Sequence, residues 1–309
     1  MNQGKGKTAN RIGLLGCGAW GKYILRDLTT LGCQTWVVAR STTSIENAKK
    51  YGATHIVGTT QDIPDNMDGY VIAVPTSVHA DCIFQILDRN KPLFVEKPLT
   101  DSLEDAEKIL SMASDRIFVM DKWRYHPAIN ALRSLINTGE LGELNMIKIR
   151  RIGWGNPHED VDPIWILLPH DLSIALHLLG TMPEITNAIG HDPELPVGIS
   201  LQLGRHPKTM IEVSSKSIVR ERSVSLEFTH GVAMMNDPFS DHVLITHGSG
   251  LEDRIGEVEK KTVSTEMPLL LELKAFVDYL NGGPEPNSNA TESVQIVKTI
   301  TRARQLAGL

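Results

Sequence analysis

Arg11-Ile12-Gly13-Leu14-Leu15-Gly16-Cys17-Gly18-Ala19-Trp20-Gly21 is the stretch that decides how the rest of this chain is read. A short apolar run, Ile12, Leu14 and Leu15, leads into glycines spaced G-x-G-x-x-G, and a helical pattern follows through Leu28. A strand, a glycine turn and a helix start form the context in which that spacing marks a dinucleotide-binding turn. Gly16 would allow the tight turn, Gly18 would let backbone approach a pyrophosphate, and Gly21 would let the helix pack on the strand. The unpaired N–H groups and the dipole of the helix start would draw phosphates to the turn, where Ala19 and Trp20 also lie.

From 11 to about 120, strand and helix patterns alternate. Strands are expected at 35–39, 70–74, 93–95 and 117–120, and helices at 45–51, 78–87 and 103–112. Continuous apolar strands in a β-α-β alternation predict a parallel sheet covered on both faces. Ligands of such sheets bind beyond the carboxyl ends of the strands. The glycine turn, Arg40-Ser41-Thr42, Pro75 to His79 and Glu96-Lys97-Pro98 all follow strands and should converge on that edge. Pro75, Thr76, His79, Glu96 and Lys97 are therefore candidate cofactor contacts. The end of the second strand selects the dinucleotide: an acid there binds the free ribose hydroxyls of NAD, and an arginine accommodates the 2′-phosphate of NADP. Here Arg40, Ser41, Thr42 and Thr43 follow the strand without a carboxylate. The planar guanidinium suits a phosphate, so NADP is expected over NAD. A surface arginine in a helix-capping turn is the plainer alternative.

Beyond 122 the pattern changes. Helices are expected at 127–136, 269–280 and 291–306. An apolar stretch at 164–179 is expected to be interrupted at Pro169-His170-Asp171, and β-rich runs at 146–152, 199–203, 209–213, 223–229 and 242–246 suggest an open antiparallel sheet. The expected organisation is a flexible tail at 1–10, a dinucleotide-binding Rossmann domain at 11–122 and a second α/β domain at 123–309 with a mostly antiparallel sheet, to which the resemblance stated below assigns substrate binding and oligomerisation. Helices 129–136, 164–179 and 269–280 would cover one face of that sheet.

A chain of 309 residues with 41% hydrophobic and 22% charged residues can bury a large core. A formal net charge of −6 without a basic cluster argues against a nucleic-acid partner. No apolar run is long enough to span a membrane, and residues 1–10 lack the apolar core of a secretory signal. Cys17, Cys33 and Cys82 lack metal-ligand spacing and fall in apolar or helical patterns. That pattern predicts buried thiols and a cytoplasmic location. No metal site is expected; His158, Glu159, Asp160 and Asp162 match no ligand pattern.

With Val74-Pro75-Thr76-Ser77-Val78-His79, Glu96-Lys97-Pro98, Tyr125-His126-Pro127 and Pro169-His170-Asp171 beside the glycine turn, the chain resembles the glucose–fructose oxidoreductase and inositol 2-dehydrogenase (Gfo/Idh/MocA) family. The Glu-Lys-Pro element is the most specific of these carriers. The resemblance implies a Rossmann domain followed by an α/β domain with an open sheet. It also implies hydride transfer between a nicotinamide cofactor and a hydroxyl or ketone of a sugar, nucleotide-sugar or polyol. Lys97 would sit beside the reacting oxygen, His170 would be the acid–base histidine, and the Lys97–Pro98 bond would be cis. Histidine titrates near neutrality, so it can move the hydroxyl proton, and a lysine ammonium stabilises developing alkoxide charge. The resemblance further implies a homodimer or homotetramer.

The family region before the histidine faces substrate. Trp154, Asp160 and Trp165, with Tyr125, Lys97 and His170, are accordingly candidate substrate contacts; a loop anchored by tryptophans is the alternative. His177 reads as a packed residue. The chain departs from the family pattern at Ile166, where many relatives carry an aspartate four residues before the histidine, and at Ser173, where an acid is frequent. Asp171 is the remaining candidate partner for His170. Reduction of an imine or another C=X bond, and a non-catalytic NADP-binding sensor, stand as alternatives to sugar oxidoreduction.

Overall fold

The computed structural model describes residues 9–156, 158–252 and 254–309. Most of the expected tail at 1–10 lies outside them. The elements of the first half are β1 (Arg11–Leu15), α1 (Gly21–Thr30), β2 (Gln34–Val38), α2 (Thr42–Lys50), β3 (His55–Val57), β4 (Gly69–Ile72), α3 (His79–Ile86), β5 (Leu93–Glu96), α4 (Leu103–Ala113) and β6 (Ile117–Met120). All six strands run parallel in the order β3-β2-β1-β4-β5-β6. The order reverses between β1 and β4, the switch point at which such sheets bind ligands. β1, β4 and β6 are buried almost throughout, as a sheet covered on both faces requires.

The second half contains α5 (Pro127–Thr138), β7 (Leu144–Trp154), α6 (Pro163–Leu179), β8 (Ile185–Gly190), β9 (Gly198–Leu203), β10 (Lys208–Ser214), β11 (Lys216–Phe228), β12 (Gly231–Met235), β13 (His242–His247), β14 (Val258–Thr262), α7 (Pro268–Leu280) and α8 (Ala290–Ala307). The sheet order is β14-β13-β12-β11-β7-β10-β9-β8, and only β7 and β10 pair in parallel. Sequence reading passed over β3, β8, β12 and β14. These are short or lie at sheet edges, where one exposed side blurs the alternation; β14, Val-Glu-Lys-Lys-Thr, carries three charges in five residues.

The chain divides into two compact units, and the division is not the contiguous one expected at 122/123. The first unit runs to residue 100 and adds 104–120 and 269–291; the second is 101–103, 121–268 and 292–309. Helix α7 was expected over the second sheet. Instead Leu269, Leu273, Phe276 and Val277 enter the core of the first unit with Ile12, Leu14, Ile24 and Val71. Phe276 stacks on Phe94 of β5 at 4.9 Å, and Tyr279 meets Phe118 of β6 edge-on at 5.0 Å. Truncating such a buried phenylalanine removes about 3–5 kcal/mol, enough to fix where the helix docks.

In the second unit α5 packs on β12 and β13, and α6 crosses β7, β9 and β10. The helix expected at 164–179 forms, and the interruption of its apolar pattern at Pro169-His170-Asp171 does not break it: α6 is continuous from Pro163 to Leu179. Pro169 has no N–H to give the Trp165 carbonyl, but nearly every residue of α6 is buried, and apolar packing on all sides holds the helix through it. Its true ends carry ordinary signals. Asp162 accepts hydrogen bonds from the Ile164 and Trp165 N–H groups, Pro163 occupies the first turn, and Gly180 closes the helix at φ 75°.

His177 on α6 is packed, as expected. Its Nε2 lies 2.8 Å from Asn130 Oδ1 and its Nδ1 3.5 Å from the Arg133 guanidinium. Burial, then the Arg133 and Arg124 charges, push its pKa down to about 4. The unfolded chain therefore binds this proton first, and stability falls as pH drops from about 6.5 towards 4. Between pH 7 and pH 5 the native protein should lose about 2 kcal/mol more of its unfolding free energy than His177→Gln. Urea unfolding of both proteins at the two pH values measures it; equal losses would contradict it.

Candidate functional site

At the carboxyl edge of the parallel sheet the glycine turn has the geometry its spacing implied. Gly16 sits at φ 95°, and a Cβ there would come within 2.6 Å of the Ala73 carbonyl oxygen; one at Gly21 would meet the Gly16 carbonyl oxygen at 2.5 Å. Both positions need glycine. A Cβ at Gly18 would meet nothing within 4 Å, so the space above the turn is open to a ligand lying against backbone. The first turn of α1 contains no acidic residue and no side-chain cap, which leaves its dipole uncompensated at that edge. Ala19 is exposed and Trp20, preceding α1, is half-buried. Arg40, Ser41 and Thr42 are exposed beyond β2, and the Ser41 hydroxyl accepts a hydrogen bond from the Ser44 N–H as the cap of α2. Cys17 is buried in the same turn, and burial pushes its thiol up to about 11, which leaves it unreactive.

In the second unit, His170 is half-buried on α6 one turn beyond the buried Ile166. The side chain at that preceding turn offers no carboxylate to the imidazole. Asp171, the remaining candidate partner, is directed elsewhere: the Arg151 guanidinium donates to its Oδ1 at 2.9 and 2.7 Å, and the pair is buried. Burial pushes the Asp171 carboxyl up against the pull of Arg151. Adjacent residues on a helix point about 100° apart, so one can face the sheet while the other does not. Trp123 links the groups, with the Arg151 guanidinium 4.6 Å from its ring centroid, His126 stacked at 5.1 Å and His170 edge-on at 6.4 Å. Of the other candidates, Trp154 is 77% exposed, Asp160 and Tyr125 are half-buried, and Trp165 is buried in α6. His158 Nδ1 lies 3.8 Å from Asp160, whereas Asp162 is taken up by the helix cap and by Arg304 at 2.6 Å. Arg124 is structural, donating to Ser173 and Glu292. His126 accepts from the Ala128 N–H and donates to the Pro238 carbonyl. The sequence reading missed Arg151 and Trp123. The signal for Arg151 was present: it continues the buried register of Ile147 and Ile149 along β7, where a charge needs a partner.

Lys97 follows β5 at the same sheet edge as the glycine turn. It is half-buried, its N–H donates to Glu96 Oε2 at 2.9 Å, and the Lys97–Pro98 bond is cis. Pro75 is exposed beyond β4 and Thr76 is buried beside it. His79, read as a cofactor contact, turns inward instead. It is 1% exposed, with Nδ1 2.9 Å from the Pro98 carbonyl oxygen and Nε2 3.0 Å from that of Val74. One imidazole thus ties the loop after β4 to the loop that carries Lys97. Burial pushes its pKa down, opposed by both carbonyls and Glu96. The neutral ring donates its one N–H to one of the two carbonyls, so removing it strands that carbonyl at about 1–3 kcal/mol and leaves a cavity where the buried ring stood. His79→Ala should therefore lose about 2–4 kcal/mol of stability in denaturant titration, and a loss below 1 kcal/mol would count against the latch.

Comparison with known proteins extends this geometry. Residues 10–119 match the model of an oxidoreductase family with an NAD-binding Rossmann fold. Scyllo-inositol 2-dehydrogenase (NAD(+)) of Bacillus subtilis is 32% identical over 133 residues, a stretch covering 40% of this chain and 38% of that enzyme. The chain thus spans under two fifths of that relative's length in the match. 4-Carboxy-2-hydroxymuconate-6-semialdehyde dehydrogenase of Sphingobium is 23% identical over 314 residues, covering 94% of this chain and 96% of that one. The solved UDP-N-acetylglucosamine 3-dehydrogenase of Acidithiobacillus ferrooxidans superposes with a TM-score of 0.81 at 18% identity, over 97% of this chain and 98% of that one. At that identity the likeness establishes the fold, a Rossmann domain followed by a mostly antiparallel sheet. Among the described residues, no helix is long and apolar enough to cross a membrane. By its glycine turn, its Glu-Lys-Pro element and the match over residues 10–119, the first part of the chain is similar to the Gfo/Idh/MocA oxidoreductases with the NAD-binding Rossmann fold.

Proposed function

We propose that this protein is a nicotinamide-dependent oxidoreductase that interconverts a hydroxyl and a ketone on a sugar, nucleotide-sugar or polyol, with NADP as cofactor. The observation that carries this reading is the open space over Gly18 at the sheet edge that also bears Arg40 and Lys97. The activities of the Bacillus subtilis and Acidithiobacillus ferrooxidans relatives support the substrate class.

In this reading the backbone of Gly16 to Gly21 and the α1 N-terminus hold the pyrophosphate. Arg40, with Ser41 and Thr42, takes the 2′-phosphate. The nicotinamide, when bound, supplies or accepts the hydride. Lys97 places an ammonium at the reacting oxygen and stabilises its developing negative charge. His170 takes or returns the hydroxyl proton. Tyr125, Trp154 and Asp160 bind the substrate, Trp154 by stacking its exposed face on a sugar ring, while Trp165, buried in α6, is packing rather than a substrate contact. Ile166 favours one second reading: without a carboxylate at that position the imidazole is oriented less firmly, which suits an NADP-binding sensor.

Turnover decides between the two. A panel of sugars, polyols and ketosugars is followed by the absorbance of the reduced cofactor. At least one should be turned over, and Lys97→Ala and His170→Ala should each lower kcat about 10²–10⁴-fold. Tight NADP binding with no turnover across the panel selects the sensor. NAD binding as tightly as NADP, or unchanged NADP affinity in Arg40→Ala, would remove the assignment of the 2′-phosphate to Arg40.

Assembly as a homodimer or homotetramer belongs to the same proposal. The sheet face away from α5 and α6 carries Lys148 paired with Glu227 and Arg150 bound to Glu212 at 2.7 Å and Glu221 at 2.8 Å, beside the partly exposed Met210. Such a ladder of paired charges with apolar gaps suits the rim and core of a self-contact. Light scattering at micromolar concentration should give a mass at least twice 34.1 kDa; a monomeric mass would refute it.

A further inference from the structure

Arg222 of β11 stands opposite Arg151 of β7 in an antiparallel register. Directly opposed residues project from the same face, here the face on which Arg151 meets Asp171 of α6. Farther along, the Arg220 Cγ lies 3.8 Å from where a Cβ on Gly153 would stand, so Arg220 borders the same ground. Two guanidinium groups, of Arg151 and Arg222, thus share a single carboxylate, with Arg220 acting on Arg222 from the side. Asp171 Oδ1 already takes both hydrogen bonds from Arg151, and its Oδ2 is buried without a partner among the described residues.

Arg222 itself is half-buried, and among the described residues its side chain has neither a hydrogen bond nor an ion pair. Burial works against its charge, Arg151 and Arg220 add repulsion, and Asp171 alone opposes them. A guanidinium does not escape by losing its proton, so this cluster lacks a negative charge. The β11 segment that holds it is open to one side: pairing with β12 reaches only to Val224 opposite Met235, and residues before that pair with β7 alone. At the end of the same segment Lys216 stands opposite the exposed Trp154. The Trp123 ring touches both this cluster, through Arg151, and His170.

We propose that Arg222, with Arg220 beside it, forms a subsite for an oxyanion group, carboxylate or phosphate, carried by the substrate whose hydroxyl proton His170 moves. The subsite rests on the oxidoreductase reading for its link to His170, but not for its existence. The planar fork of Arg222 suits two oxygens of either group. The substrates are then acidic sugars or sugar phosphates rather than neutral polyols.

The test is binding, which needs no turnover. Glucuronate, glucose 6-phosphate, inorganic phosphate and glucose are titrated calorimetrically into the full chain, its Arg222→Gln variant and its Arg222→Lys variant, with circular dichroism confirming the fold of each. At least one of the sugar anions should bind tenfold or more tightly than glucose, and Arg222→Gln should weaken it tenfold or more. Arg222→Lys, which keeps the charge without the fork, should fall between. Tighter glucuronate assigns a carboxylate, tighter glucose 6-phosphate a sugar phosphate. Inorganic phosphate matching glucose 6-phosphate, with the same loss in Arg222→Gln, assigns the site to free phosphate and overturns its place in the substrate. The subsite is overturned outright if wild type binds the anions no better than glucose, or if Arg222→Gln binds them unchanged. If Arg222→Gln does not fold, binding by Arg222→Lys equal to wild type also overturns it. Turnover of a neutral polyol without anion binding would sink the subsite and leave the oxidoreductase; anion binding lost in Arg222→Gln without any turnover would do the reverse.

Discussion

The Ala73 carbonyl oxygen lies 2.6 Å from the place a Cβ on Gly16 would occupy, and the Gly16 carbonyl oxygen 2.5 Å from the corresponding place on Gly21. This succession of close backbone approaches holds the end of β1, the end of β4 and the start of α1 together at the point where the strand order reverses. No residue with a side chain fits at either position without moving backbone, and Gly16 also requires φ 95°. Because backbone rather than side chains fills that junction, the N-terminus of α1 is brought over the sheet edge with its N–H groups facing outward. The open ground above Gly18 follows from it. Arg40, Pro75 and Lys97 reach the same edge because their strands are parallel neighbours of β1 or one strand removed.

The second unit is organised around a different constraint, charge in a core position. Arg151 continues the inward register of β7, and its cost is offset by the buried Asp171 and the face of Trp123. That arrangement commits Asp171, so it cannot orient His170. It also leaves Arg222 beside a carboxylate whose Oδ1 is taken by Arg151. The apolar Ile166 and the surplus of guanidinium groups are thus two features of one helix–sheet contact. Together they distinguish this unit from a family pattern in which an acid precedes the histidine.

Histidines illustrate how far a residue type underdetermines its role. His79 and His170 both follow proline-containing motifs, and His126 directly precedes a proline. In the fold, His79 braces two loops by its ring nitrogens, His126 caps α5, His177 packs against Asn130 and Arg133, and His170 keeps a half-exposed ring. Burial separates them: the first three have lowered pKa values, and a neutral ring suits a structural hydrogen bond. Nothing in the order of residues around His79 distinguishes a brace from a ligand contact, because its partners, Val74 and Pro98, contribute only main-chain carbonyls.

What the sequence determined by itself was local. The glycine spacing, the apolar runs of β1, β4 and β6, the helical periods of α1 and α4, and the placement of Arg40 and Lys97 just beyond strands all depend on chain geometry within a few residues. So they were legible together with the two-part α/β architecture. The tertiary structure decided what depends on residues far apart in the chain. It put α7 into the first unit through Phe276 and Phe94, and it carried α6 through Pro169 by burying nearly every residue of that helix. It also turned His79 inward and set Arg222 opposite Arg151. Each of these is a competition for burial or for a charge partner between distant segments, and a window of neighbouring residues contains only one side of that competition.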